Sequence, residues 1–238
     1  MTTRRLLAYV AGLALMTFAL VAIERFTETG LRMLVASPLA ATLGTSEYSV
    51  VEWLQIVLLV VVAGLSWWAA QLSRIQRTLA TLGFAVACAA IIREFDLFLD
   101  RFLFDHAWQL LVAIVGVAAI VSAVRHRRAL VAGWTRALGE PGLGLIVLGI
   151  SIVTVFANAL GNEGLWQSLM GDDYVRVAKV ATEELTELAG YWLWLVGQIE
   201  FTLSCKTQHR VSRDGSDRRR SERRRRRDKS RGPGGFTK

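Results

Sequence analysis

The chain has 238 residues, of which 53% are apolar, and it carries a formal net charge of +8 at a mean hydropathy of +0.38. A soluble domain is about 45–50% apolar, so the excess indicates segments that lie in lipid. Residues 1–205 hold 14 basic and 16 acidic residues, whereas residues 206–238 hold 14 basic and four acidic ones. This division excludes a soluble nucleic-acid-binding domain as the main interpretation, and a disordered chain as the interpretation of residues 1–205.

Six apolar segments are each long enough to cross a hydrocarbon core, which needs about 20 residues. We therefore predict an all-α fold in which residues 1–205 form a bundle of six transmembrane helices. The predicted spans cover residues 5–23, 51–73, 78–97, 107–124, 142–161 and 182–204. The third and sixth spans are the least apolar, because carboxylate side chains enter their ends.

The first apolar segment follows Arg4 and Arg5, as the core of a signal peptide would. Its apolar run is longer than the roughly 7–15 residues of such a core, and no small-residue cleavage site precedes Glu24. We therefore predict that this helix is retained as an anchor. The segment that follows, residues 24–50, is compatible with a short helix on the outer surface and with a plain loop.

Basic residues fall mainly on one side of the predicted spans. With a cytoplasmic N-terminus, that side collects eight arginines of residues 1–205 and the whole basic tail. The opposite side collects 14 of the 16 acidic residues. Because cytoplasmic connections carry an excess of Lys and Arg, we predict that both termini are cytoplasmic, in a bacterial inner membrane or a plasma membrane. Glu200, on the cytoplasmic side, is expected to pair with a cytoplasmic arginine.

Charged residues enter the helix ends on the predicted outer side. Counting about 20 residues across the membrane places them at similar depth near the ends of the second, third and sixth spans. Arg93, Asp96 and Asp100 share one helical face if the third helix continues past residue 97. We predict a candidate binding cluster formed by Glu52, Arg93, Glu94, Asp96, Asp100, Arg101, Glu183, Glu184 and Glu187. A charged side chain costs about 2.5–3.5 kcal/mol at the centre of a membrane helix, so these groups are expected to face inward and find partners.

Three functions are compatible with this cluster. The first is binding or translocation of a cation, a proton or a small cationic solute, because carboxylates outnumber their cationic partners. The second is a membrane enzyme that uses the carboxylates, with or without a divalent cation, on a lipid or lipid-linked substrate. The third is a non-catalytic membrane scaffold in which the charges only join helices and the basic tail binds lipid or partners. The three histidines and two cysteines form no zinc, haem or disulfide motif, so no metal ligand is assigned and no cofactor is indicated.

The basic tail, residues 206–238, cannot bury a core, and we predict that it is disordered. In the cytoplasm it would contact anionic lipid headgroups, at about 1 kcal/mol per basic residue near the surface. The expected contacts are Arg218, Arg219, Arg220, Arg223, Arg224, Arg225, Arg226 and Arg227. Binding of nucleic acid or an acidic protein is the alternative, and lipid contact is favoured over it. No sequence feature defines the oligomeric state.

Overall fold

The computed structural model describes residues 2–26 and 49–230, and within these ranges it is helical and contains no strand. The helices are α1 (Thr3–Phe26), α2 (Val50–Leu72), α3 (Arg77–Glu94), α4 (Asp96–Phe102), α5 (Ala107–Arg125), α6 (Arg127–Ala137), α7 (Pro141–Ser151), α8 (Asn158–Leu160), α9 (Glu163–Met170) and α10 (Arg176–Ser230). A π-helical turn, Ile152–Ala157, joins α7 to α8. The predicted all-α fold is confirmed. The short helix or loop predicted over residues 24–50 lies mostly outside the described residues.

Four helical segments in the described part of the chain are long and apolar enough to cross a membrane. They are Thr3–Leu20, Val50–Leu72, Ala107–Arg125 and Pro141–Leu160. These segments correspond to the first, second, fourth and fifth predicted spans. The other two predicted spans fall in α3, which has 18 residues and charges at both ends, and in α10, whose apolar stretch is interrupted by carboxylates. The count of six spans therefore stays a prediction.

The helices pack around α10 with alternating directions. Arg5, near the start of α1, pairs with Glu200 in α10, so these two helices are antiparallel. Gln55, near the start of α2, donates a hydrogen bond to Glu184 in α10, so these two helices are parallel. The end of α3 lies beside Glu187, which makes α3 antiparallel to α10. We call the two ends of the bundle the Glu187 end and the Glu200 end.

Four glycines bring the backbones of α7 and α10 into contact. Gly142 and Gly149 lie seven residues apart in α7, and Gly190 and Gly197 lie seven residues apart in α10, so each pair shares a helix face. A Cβ atom on Gly149 would lie 2.6 Å from the carbonyl oxygen of Gly190, and one on Gly197 would lie 2.7 Å from that of Gly142. Small residues permit this close approach in membrane helices. The pairing also makes α7 antiparallel to α10.

Large apolar side chains cover much of the outer surface of the bundle. In α1, Leu15 is 71% exposed and Phe18 is 72% exposed, and similar side chains line the outside of α2 and α5. A soluble monomer rarely exposes contiguous apolar surface of this extent, because exposed apolar area is unfavourable in water. Together with the four long apolar helices, this surface supports a location in a membrane.

Helix α10 extends far beyond the bundle. It continues to Ser230, so residues 206–230 are helical, which differs from the disordered tail that the composition predicts. Arg and Lys are good helix formers, and residues 206–230 contain one glycine and no proline. The packed part of α10 supplies a nucleus from which this segment extends. Residues 231–238 lie outside the described residues.

Candidate charged site at the Glu187 end

An ion pair joins the last turn of α3 to α10. The guanidinium of Arg93 donates from its Nη2 to Oε1 of Glu187, at 2.5 Å. The carboxylate of Glu187 is buried, whereas the side chain of Arg93 is 37% exposed. The pair therefore closes the bundle at this end with its cation toward the surface and its anion toward the interior.

A tyrosine makes the second link between α3 and α10. The hydroxyl of Tyr191 donates to Oε1 of Glu94, at 2.7 Å, and the tyrosine is only 1% exposed. Tyr191 lies one turn after Glu187, so both side chains leave the same face of α10. The neighbouring residues Arg93 and Glu94 thus bind successive turns of one helix.

Helix α2 contributes an amide to the same site. Nε2 of Gln55 donates to the side-chain Oε2 of Glu184, at 3.0 Å, and to the backbone carbonyl of Glu184, at 3.1 Å. Gln55 is fully buried. Its carbonyl oxygen, Oε1, is also buried and accepts no hydrogen bond from any part of the chain that the structure describes.

Glu52 caps α2 beside this amide. Its backbone N–H donates to the hydroxyl of Ser49, and the N–H of Ser49 donates to Oε2 of Glu52, both at 3.1 Å. This reciprocal pair is a capping box, which explains why the helix begins at Val50. Glu52 also interacts electrostatically with Glu94 and Glu184.

The structure brings together four of the predicted carboxyl groups and one predicted cation. Glu184 interacts electrostatically with Glu52, Glu94 and Glu187, and Arg93 acts on both Glu94 and Glu187. We call this group the carboxyl cluster, and its members are Glu52, Glu94, Glu184, Glu187, Arg93, Gln55 and Tyr191.

Two of the remaining predicted residues lie beyond a break in the third helix. Helix α3 ends at Glu94, and Asp96 begins the separate helix α4 after Phe95, so the expected face through Arg93 and Asp100 is interrupted. Oδ1 of Asp100 is buried without a hydrogen-bond partner in the described ranges.

The last two predicted residues, Arg101 and Glu183, are not among the cluster members, although Glu183 interacts electrostatically with Glu187. Arg101 is exposed in α4. Glu183 pairs with Lys179 one turn earlier in α10, at 3.0 Å. Its carboxylate lies beside Gly161, the residue that follows the end of α8.

Gln55 and Tyr191 are the cluster members that the sequence analysis did not identify. Gln55 is one turn after Glu52, and Tyr191 follows Glu184 and Glu187 at spacings of seven and four residues. These spacings place them on the same helix faces as the carboxylates. Both residues could therefore have been predicted from the sequence, as polar side chains that continue a charged helix face into an apolar span.

The other end of the bundle has its own buried carboxylate. Oε1 of Glu200 accepts a hydrogen bond from the hydroxyl of Tyr9 at 2.7 Å, and Oε2 lies 3.4 Å from Arg5. The expected pairing of Glu200 with an arginine on its own side of the bundle is confirmed.

No group of three or more His, Cys, Asp or Glu side chains in the part of the chain that the structure describes is arranged to hold a metal ion. Comparison with protein-family models, curated proteins and solved structures finds no match to this chain. The structure thus defines an all-helical protein, with helices of membrane length and a partly buried carboxyl cluster at one end. Any function has to be inferred from that cluster and its surroundings.

Proposed function

We propose that this is a six-span protein of a bacterial inner membrane or plasma membrane whose carboxyl cluster binds a cation from outside, and that this cation is a proton. Both termini lie in the cytoplasm, and the Glu187 end faces outward. The alternating helix directions support six crossings, because α3 and α10 pack along helices that are long and apolar enough to span. The basic residues near the Glu200 end support this orientation.

The charge balance of the carboxyl cluster carries the proposal. The one guanidinium among the cluster members, that of Arg93, acts on Glu94 and Glu187, and its direct hydrogen bond goes to Glu187. The direct partners of Glu94 and Glu184 are a neutral phenol and a neutral amide. An ionised carboxylate without a cation is costly in a membrane interior, so the surplus carboxyl groups need a proton or another cation.

The geometry of Gln55 and Glu184 favours a proton. A carboxylic acid and a primary amide can form two hydrogen bonds, one from the amide N–H and one from the acid O–H. The first is present, from Nε2 of Gln55 to Glu184. The second is missing, and the buried Oε1 of Gln55 is the acceptor that it would use. Protonation of Glu184 supplies the donor that this oxygen lacks.

A proton also fits the packing of the cluster. It needs neither a cavity nor a cage of several ligands, and the carboxyl groups of Glu94, Glu184 and Glu187 are each already held by a side chain of a neighbouring helix. Release from Glu184 or Glu94 toward the outside, or onward through the bundle, would make the site a proton-binding element of a translocation path.

Proton flux into proteoliposomes tests this function. We expect the wild-type protein to acidify the lumen when an inward proton gradient is applied, and Glu184→Gln to abolish that flux. Glu163→Gln is the matched control, because Glu163 is an exposed carboxylate in α9 near the same end of the bundle. Equal flux through wild-type protein, Glu184→Gln and empty liposomes would reject the proposal.

A structural role is the second candidate, and the contacts of α3 favour it. Arg93 and Glu94 both bind α10, through Glu187 and Tyr191, and such links alone would hold α3 in place. A scaffold of this kind tolerates simultaneous neutralisation of Arg93 and Glu187 better than either single change. It also shows no flux, which separates it from the proton-binding function.

A further inference from the structure

A cavity of about 440 Å³ opens at the Glu200 end, far from the carboxyl cluster. It lies between the start of α1, the connection from α6 to α7, and the part of α10 that follows Glu200. Ligand pockets in proteins are typically about 300–1,000 Å³, so the cavity is large enough for a small polar group.

The walls of this cavity carry more positive than negative charge. Arg5, Lys206 and Arg210 line it together with two carboxylates, Glu140 and Glu200. Glu200 is already bound by Arg5 and by a tyrosine hydroxyl, so its charge is compensated locally. Lys206 and Arg210, one turn apart on α10, are two further cations on the cavity wall, and the ammonium of Lys206 also lies 5.5 Å from the centre of the Trp68 ring.

The start of α7 adds hydrogen-bond donors. Pro141 is its first residue, and Glu140, at the cap position, makes no side-chain bond to the first turn. Gly142 lines the cavity, where an uncapped helix start presents backbone N–H groups and the positive end of the helix dipole. Anionic groups such as phosphate bind at helix starts of this kind. Here Lys206 and Arg210 of α10 line the same cavity as the start of α7.

Glu140 supplies a complementary acceptor. Its Oε1 accepts hydrogen bonds from Nε2 of Gln208 at 3.0 Å and from Nε2 of Gln76 at 3.4 Å. Its Oε2 is buried and has no hydrogen-bond partner in the ranges that the structure describes. A buried carboxylate oxygen without a donor is costly, so a ligand with an N–H donor is favoured because the carboxylate gains a hydrogen bond by turning toward the cavity that Glu140 lines.

We propose that this cavity binds a phosphate group that carries a neighbouring ammonium, in the form of the phosphoethanolamine headgroup of a membrane phospholipid. The phosphate oxygens accept from Lys206, Arg210 and the first turn of α7, and the carboxylate of Glu140 turns its Oε2 into the cavity to accept from the ammonium. A lipid is the source because the exposed side chains of Leu6 and Leu7, next to Arg5, offer apolar surface for its acyl chains. The site lies on the proposed cytoplasmic side.

Lipid binding to the purified full-length protein, counted by native mass spectrometry, tests the site. The probes are dioleoyl phosphatidylethanolamine, the glycerol and choline analogues, and soluble phosphoethanolamine. We expect wild-type protein to bind one ethanolamine lipid about tenfold more tightly than the choline lipid, which offers no N–H donor, a difference of about 1.4 kcal/mol. Lys206→Gln combined with Arg210→Gln should remove this binding.

Two further variants separate the site from general attraction to lipid. Glu140→Gln should abolish the preference for the ethanolamine over the glycerol headgroup while phosphate binding remains. Arg127→Gln combined with Arg128→Gln is the matched control, since both arginines are exposed at the same end but do not line the cavity, and it should bind as wild type.

Three results would overturn the proposal. Equal binding of all three lipids by wild-type protein would remove the headgroup specificity. An equal loss in the control variant would reduce the effect to surface charge. Displacement of the bound lipid by an equal concentration of soluble phosphoethanolamine would show that the site binds the free headgroup and not a lipid. A wild-type circular dichroism spectrum is required of the double variant, and Arg210→Gln alone, at an exposed position, should weaken binding if the double variant does not fold.

Discussion

The guanidinium of Arg93 lies 2.5 Å from the carboxylate of Glu187, and this contact joins two helices whose residues are 94 positions apart in sequence. It is the one direct ion pair in the carboxyl cluster among the described residues. The neighbouring residue Glu94 binds Tyr191 one turn further along the same helix. The end of α3 is therefore attached to α10 by one ion pair and by one hydrogen bond from a tyrosine hydroxyl.

Removal of either partner of this pair should destabilise the protein more than removal of both. Glu187→Met leaves a partly exposed arginine without its anion, and Arg93→Met leaves a buried carboxylate without its cation. Loss of one partner of a fully buried pair costs about 3–5 kcal/mol, and partial exposure of Arg93 lowers this to about 1–3 kcal/mol. Thermal unfolding in detergent micelles measures both single variants and the double variant. Additive losses in the double variant would contradict the pairing.

Larger side chains at the α7–α10 contact should force the two helices apart. In Gly149→Ala the new Cβ atom meets the backbone carbonyl of Gly190, which cannot rotate away as a side chain can. Overpacking of this kind costs about 1–3 kcal/mol. Gly64→Ala is the matched control, because a Cβ atom on this exposed glycine of α2 meets nothing within 4 Å. Melting temperatures that fall equally in both variants would show that the close contact is unimportant.

The proposed orientation predicts opposite labelling of two exposed positions. In a Cys88→Ser, Cys205→Ser background, Glu163→Cys should react with an impermeant maleimide in intact cells. Arg127→Cys should react only after the membrane is permeabilised. The two positions lie near the Glu187 end and the Glu200 end, in α9 and at the start of α6 respectively. The reverse pattern would invert the topology, and labelling of both positions in intact cells would contradict six spans.

Removal of residues 212–238 should leave the bundle intact. In α10, Nδ1 of His209 lies 3.0 Å from the carbonyl oxygen of Leu72 in α2, and the deleted segment begins three residues after this contact. We expect a change in stability within about 0.5 kcal/mol, as for surface changes. The number of phosphatidylglycerol molecules that remain bound in native mass spectra should fall. Removal of residues 231–238 alone serves as the control, and failure of the longer deletion to insert would contradict a dispensable tail.

Hydropathy and charge predict much of this fold, because lipid imposes a minimum length on apolar helices. Glu94, Glu184 and Glu187 were identified because charges at helix ends are conspicuous in such a sequence. The interruption at Phe95 was not foreseen, since neither glycine nor proline marks it.

Neutral contacts were the other features that the sequence did not reveal. Gln55, Tyr191 and the glycines of α7 and α10 depend on which helix faces meet. The meeting of faces is a property of the tertiary packing, and periodicity along one helix does not determine it.

The protonation of Glu184 is the most direct test of the proposed function. Infrared spectra of the protein in lipid, at near-neutral pH, report protonated carboxyl groups through their carbonyl stretch. We expect wild-type protein and Glu163→Gln to show the same protonated-carboxyl band, and Glu184→Gln to lose the component of that band that belongs to Glu184. A spectrum of the wild-type protein without such a band, or a band that persists unchanged in Glu184→Gln, would contradict a proton shared with Gln55.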